Sequence, residues 1–146
     1  MMIRRMTVAD YEEVYQLWRK TPGMGLNDVD DSKDGIQKYL LRNPNTCFVA
    51  IDGNETIGVI LSGHDGRRGY LYHLAVAAHK RGHGIGRALL QTALDALGKE
   101  NINKVALVVF ERNETGNAFW EKCGFAERTD LLYRNKTLKE MTRIDT

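Results

Sequence analysis

The sequence predicts an α/β fold in three layers: a mixed, twisted sheet of six to seven strands with helices on both faces. Three observations carry that expectation. Two strand-like runs, Cys47 to Ile51 and Thr56 to Ser62, flank Asp52-Gly53-Asn54-Glu55, a hairpin signature that makes the early sheet antiparallel. Tyr70 to Val76 and Val105 to Phe110 are apolar or aromatic on both faces, as central strands are. Between them a helix from Gly84 to Glu100 carries Ile85, Ala88, Leu89, Thr92, Ala93, Ala96 and Leu97 in one stripe, and strand–helix–strand implies a parallel crossover.

The other elements follow in order. Ile3 to Met6 reads as a short strand. Thr7, with Asp10 three positions on, starts a helix in which Val8, Tyr11, Val14, Tyr15 and Trp18 recur at helical spacing. Thr21 to Asp31 is rich in Gly, Asn and Asp and reads as a loop. A second helix from Ser32 to Arg42 buries Ile36, Tyr39 and Leu40, and Pro44 stops it. A short helix from Thr115 to Lys122 ends at Gly124, and closing strands are expected around Phe125 to Arg128 and Leu131 to Asn135. Exposed closing strands of this kind are compatible with a homodimer.

Composition narrows the function classes. The 146 residues suit one domain, 1–146, with a single core, and 42% hydrophobic against 27% charged residues is ordinary globular usage. Lys+Arg of 21 against Asp+Glu of 19 leaves a net charge of +2, too small for a protein that coats nucleic acid. The weakest of the readings weighed is therefore a nucleic-acid contact through Arg67, Arg68, Lys80, Arg81 and Arg87. No apolar run approaches the ~20 residues that cross a bilayer, and Met1 to Asp10 lacks a signal-peptide core, so neither membrane association nor export is expected. Cys47 and Cys123 lie far apart and outside any Cys/His cluster, which predicts free thiols in a reducing cytoplasm and no metal site.

The chemistry concentrates in Leu74-Ala75-Val76 and the following Arg81-Gly82-His83-Gly84-Ile85-Gly86-Arg87, the junction of a buried strand with a helix. The first N–H groups of a helix lack intrahelical partners, and the helix dipole is positive there. Glycines let a ligand approach those donors, and Arg81 and Arg87 add fixed positive charge, so the segment is a cradle for a phosphate or pyrophosphate. Gly82, Gly84 and Gly86 give GxGxG rather than the GxGxxG of a dinucleotide fold, and no Gly-Lys-Ser/Thr ending marks a P-loop.

Arg81-x-x-Gly84-x-Gly86 after Leu74-Ala75-Val76 resembles the acetyl-CoA pyrophosphate arm of the GNAT N-acetyltransferases. The segment Asn113-Glu114-Thr115-Gly116-Asn117-Ala118-Phe119-Trp120-Glu121-Lys122-Cys123-Gly124-Phe125 is similar to the family's later motif, in the right order. The resemblance spans essentially the whole chain and implies an acetyl-CoA-dependent transfer of acetyl directly to a primary amine. It also implies a splay between Tyr70–Val76 and Val105–Phe110 that admits the cofactor. Backbone groups near Leu74 and Val76 would pair with the pantetheine, the amides of Gly82, His83, Gly84, Ile85, Gly86 and Arg87 would hold the pyrophosphate, and Asn113 would touch the cofactor arm. An N-cap for the following helix explains Asn113 equally well.

The match thins at the catalytic groups. The family often has an acid tyrosine where this chain has Trp120, which packing explains, and one common glutamate position is Val108. Tyr70 and Tyr72 stand where some relatives place a base; a phenol near pKa ~10 is a poor direct base, so the candidate roles of Tyr72 are polarising the thioester or passing a proton through water. His73 falls on the opposite strand face by alternation and reads as structural. His79 and His83 flank the cradle, and His64 and Asp65 shape a turn. Tyr133 is a second candidate acid. Cys123 lacks a partner for an acyl-enzyme route. Asp28, Asp30 and Asp31 either attract a cationic acceptor or cap the second helix. Without an evident carboxylate base, an α-amine near ~7.7–8.0 is a readier acceptor than lysine near ~10.4. The competing reading is a coenzyme A-binding or regulatory module without chemistry.

Overall fold

The computed structural model describes residues 1–146. The chain opens with β1 (Met2–Arg5), a turn of 3₁₀ helix at Val8–Asp10 and α1 (Tyr11–Arg19). Asp10 holds this start: its carboxylate accepts from the Thr7 N–H at 2.9 Å and takes both terminal nitrogens of Arg4, at 2.7 and 2.9 Å. The Gly- and Asp-rich loop contains a two-residue strand, β2 (Leu26–Asn27), before α2 (Lys33–Arg42), whose N-cap Ser32 accepts from the Gly35 N–H. The predicted hairpin is β3 (Phe48–Asp52) and β4 (Glu55–His64); β5 (Gly69–Val76) returns antiparallel to β4. The crossover helix is α3 (Ile85–Lys99), leading to β6 (Val105–Ala106), then α4 (Glu114–Lys122) and β7 (Arg143–Ile144).

The main sheet runs β1-β3-β4-β5-β6, antiparallel except for the β5–β6 pair, and β2 pairs with β7 in a separate two-stranded ribbon. Its core packs Val14, Leu17 and Trp18 of α1 and Leu89, Ala93 and Leu97 of α3 against Val49, Ile57, Val59 and Ile60. Helix α3 lies so close to β4 that a Cβ on Gly58 would stand 2.8 Å from Leu89. Buried polar groups are satisfied in place: the Thr46 and Ser62 hydroxyls each donate to the other residue's carbonyl at 2.6 Å. No helix is long and apolar enough to cross a membrane.

Two expectations are corrected. Val105 to Phe110 is a paired strand only at Val105 and Ala106, because the chain swings away from β5 beyond them. Phe125 to Arg128 and Leu131 to Asn135 form no strands, and Leu131, Leu132 and Tyr133 are exposed. An apolar run becomes a strand only where a neighbouring edge accepts its backbone hydrogen bonds, and the ladder on β6 stops at Ala106. The closing strand is instead β7, against β2 in the loop before α2.

Candidate functional site

Strand β5 ends at Val76, a 3₁₀ turn occupies Ala78–Lys80, and α3 starts after Gly84. Gly82 and Gly84 have φ of +80° and +78°, a left-handed backbone that strains other residues, and a Cβ at either would meet no atom of the chain within 4 Å. The first bond of the helix is Ala88 N–H to the Gly84 carbonyl at 3.0 Å, so the N–H groups of Gly82, His83, Gly84, Ile85, Gly86 and Arg87 have no acceptor in the chain. Arg81 and Arg87 are exposed. Arg81 Nε donates to the Val76 carbonyl at 3.1 Å, which folds this side chain over the end of β5, and Arg87 has no carboxylate against it. His83 is exposed, its Nδ1 3.1 Å from the Lys80 carbonyl. An open, donor-rich helix start with two guanidinium groups that face no carboxylate fits a diphosphate.

Other cations nearby are already engaged. Lys80 pairs with Asp52 at 2.7 Å and His79 with Glu55 at 3.0 Å. Arg67 and Arg68 lie beyond the opposite end of β5, where both backbone N–H groups donate to Asp65. Eight strand residues separate the two ends by about 23 Å, so the five cations weighed for nucleic acid form no continuous stripe.

Beside the cradle the sheet opens. β5 and β6 pair only at Gly69 with Val105 and Tyr70 with Ala106; from Leu71 onward that edge of β5 has no strand against it. Leu74 and Val76 line this stretch half-buried, whereas Ala75 is buried opposite Val59. Tyr72 is 41% exposed and meets Tyr70 and Tyr39 at ring-centroid separations of 4.9 and 5.9 Å. Burial, with Tyr133 and Asp30 nearby, pushes its phenol above the ordinary tyrosine range, so Tyr72 keeps its proton at neutral pH. The Tyr39 hydroxyl beneath is buried without a partner.

Strand alternation fails at the centre of β5. Val59 faces Ala75 and Leu61 faces Tyr72, so Ile60 alone opposes His73 and Leu74, a β-bulge. His73 has φ +54°, which costs on the order of 1–3 kcal/mol for a non-glycine residue. The Trp18 indole N–H holds it by donating to the His73 carbonyl at 3.1 Å. The bulge turns the imidazole, expected to point away from Tyr72, to 6.1 Å from the Tyr72 ring and 5.0 Å from Trp18. Its Nε2 lies 2.7 Å from Oδ1 of Asp31, a residue 42 positions away that is 4% exposed. The other Asp31 oxygen accepts from the Asn27 N–H at 2.8 Å, and the Asp31 carbonyl accepts from the Tyr11 hydroxyl at 2.7 Å. Nothing in the local sequence announces this pair.

The remaining candidates serve the fold. Asn113 caps α4, its side-chain oxygen accepting from the Gly116 N–H at 2.9 Å, which leaves its NH₂ group as a free donor facing Gly23. Trp120 packs edge-on against Phe119 and Phe125. His64 accepts from the Gly66 N–H and reaches Glu100. Asp28 accepts from the Thr142 N–H and Asp30 from Asn27. Tyr133 and Val108 are exposed, Tyr133 beside Tyr70 and Tyr72, and Cys123 ends α4.

The chain is similar to known proteins in sequence and fold. The sequence model of the acetyltransferase (GNAT) family matches residues 11–125. The acetyltransferase plu1384 of Photorhabdus laumondii is 34% identical over 128 residues, 88% of each chain. The acetyltransferase SG1711 of Sodalis glossinidius is 31% identical over 140 residues, 96% of this chain and 97% of that one. Among solved structures, the PaiA N-acetyltransferase of Thermoplasma acidophilum, determined in complex with coenzyme A, superposes with a TM-score of 0.73 at 21% identity, covering 84% of this chain and 87% of that one. With the family model spanning most of the chain and two acetyltransferases aligned nearly end to end, this protein belongs to the GNAT acetyltransferases and is an acyltransferase.

Proposed function

We propose that the protein transfers acetyl from acetyl-CoA directly to a primary amine, without an acyl-enzyme. The observation that carries the reading is the set of six unbonded N–H groups from Gly82 to Arg87, beside two guanidinium groups and at the mouth of the β5 opening. Those amides and Arg81 and Arg87 would hold the diphosphate, with backbone groups near Leu74, Ala75 and Val76 taking the pantetheine. The free NH₂ of Asn113 is a further donor to the arm. The coenzyme supplies an activated acetyl group whose thiolate leaves readily, since a thiol near pKa ~8.5 needs little protonation. Tyr72, held protonated beside the opening, would donate to the thioester carbonyl as negative charge develops there. The coenzyme A complex of the PaiA relative supports the cofactor assignment.

The placement of Trp120 among Phe119 and Phe125 favours one rival, a coenzyme A-binding module without chemistry, since the usual acid position is given over to packing. Free-thiol release from acetyl-CoA, measured with amino acids, polyamines, aminoglycosides and peptide N-termini, separates the two. Transfer predicts amine-dependent release, strongest with an α-amine; tight coenzyme A binding with no release from any amine establishes the rival.

A further inference from the structure

The geometry points to His73 as the base that takes a proton from the acceptor amine, with Asp31 as the positioning residue that sets its tautomer. The inference rests on the acetyl-transfer reading and supplies the base that the sequence pattern lacks. A carboxylate only accepts, so the 2.7 Å contact to Asp31 requires the proton on Nε2 and leaves the Nδ1 lone pair free. Nδ1 has no partner in the protein and is not sealed from solvent. The pair is built rather than incidental. Asp31 is fixed through its second oxygen by Asn27 and through its carbonyl by Tyr11, and His73 is held in a left-handed backbone by Trp18. A purely structural histidine does not explain why the strand spends a bulge and an unfavourable φ to turn this ring beside Tyr72.

Position agrees with the role. His73 lies three residues back from Val76, about 10 Å along the strand from the end of β5 that leads into the cradle, on the length of β5 that β6 leaves uncovered. An acceptor arriving as R–NH₃⁺ gives one proton to Nδ1, and the imidazolium formed is stabilised by Asp31. The released lone pair forms the N–C bond at the acetyl carbon, the C–S bond breaks with its electrons on sulfur, and the second amine proton goes to the thiolate. The imidazolium returns its proton to solvent, so the balance is R–NH₃⁺ plus thioester to amide, thiol and H⁺. The titratable groups facing the pair are Tyr72 on its own strand, Tyr11 of α1, and Tyr39, Tyr133 and Asp30, all three of which lie near Tyr72.

Two variants and one spectroscopic reading test this. Asn tolerates a left-handed backbone, so His73→Asn keeps the bulge, and Asp31→Asn keeps the buried shape. Thiol release is followed against pH with an alanine-initiated peptide, spermidine and lysine, coenzyme A affinity is measured by calorimetry, and imidazole ¹⁵N shifts report the tautomer. The expected result is kcat reduced at least a hundredfold in His73→Asn with the acid limb of the profile lost. Asp31→Asn should move the proton to Nδ1 and lower kcat, and coenzyme A affinity should stay within twofold in both. A wild-type kcat and pH profile in His73→Asn, or an Nδ1–H tautomer in the wild type, overturns the assignment while leaving acetyl transfer standing. Coenzyme A affinity lost in step with kcat in both variants shows a structural role and overturns it too. No thiol release from the wild type with any of the three amines overturns the transfer reading itself, and this role with it.

Discussion

Gly84→Asp isolates the cradle from the fold. Gly84 sits at φ +78° with open space where a Cβ would be, so the substitution clashes with nothing and costs only backbone strain, about 1–2 kcal/mol. A melting temperature lower by about 3–7 °C is expected for a chain of this size. The new carboxylate stands over the free N–H groups of Ile85 to Arg87. At about 5 Å and an effective dielectric of about 20, it repels one phosphate charge by about 3 kcal/mol. Screening at physiological salt leaves about 2 kcal/mol, roughly thirty-fold in Kd. Gly66→Asp is the matched control: φ +92°, open space, the same added charge, but beyond the far end of β5. Calorimetric titration with coenzyme A should show the loss in Gly84→Asp alone, with both variants destabilised alike. Equal affinity in the two variants would refute the placement of the diphosphate.

Two further outcomes check the surrounding structure. The Cys47 thiol is 1% exposed, and burial pushes it up to about 12, so a thiol reagent at neutral pH should label Cys123 alone in the native protein and both cysteines after denaturation. Burial alone would push Asp10 up, but its bonds to Arg4 and Thr7 hold it below the ordinary carboxylate range. A depressed folded value means the stabilisation is full above the unfolded pKa of about 3.9 and disappears as pH falls through the folded value. Urea midpoints of wild type and Arg4→Met should therefore differ by a constant amount from pH 5 to 7 and converge below about pH 4.

The parts written in periodicity and turn chemistry were legible in the chain. The hairpin at Asp52-Gly53-Asn54-Glu55, the stripe of α3, the Ser32 start of α2 and the glycine-rich helix entry all follow from neighbours within a few residues. What escaped depends on partners distant in sequence. Leu131-Leu132-Tyr133 has strand character but no edge to pair with, and Arg143–Ile144 finds one in Leu26–Asn27. The strict alternation that set His73 apart from Tyr72 assumes a regular ladder. The bulge opposite Ile60 breaks it, and only the folded chain brings Asp31 to the imidazole. Asn113 and Trp120 carry the motif spacing, yet their side chains are engaged in capping and packing.

Amide NMR of uniformly ¹⁵N-labelled protein titrated with coenzyme A reads the diphosphate contact directly. The N–H signals of Gly82, His83, Gly84, Ile85, Gly86 and Arg87 should shift together and saturate with the calorimetric Kd, while those of Gly53 and Gly66 stay in place. If coenzyme A saturates the protein and those six signals do not move, the anion is held elsewhere and the account of this fold's function is wrong.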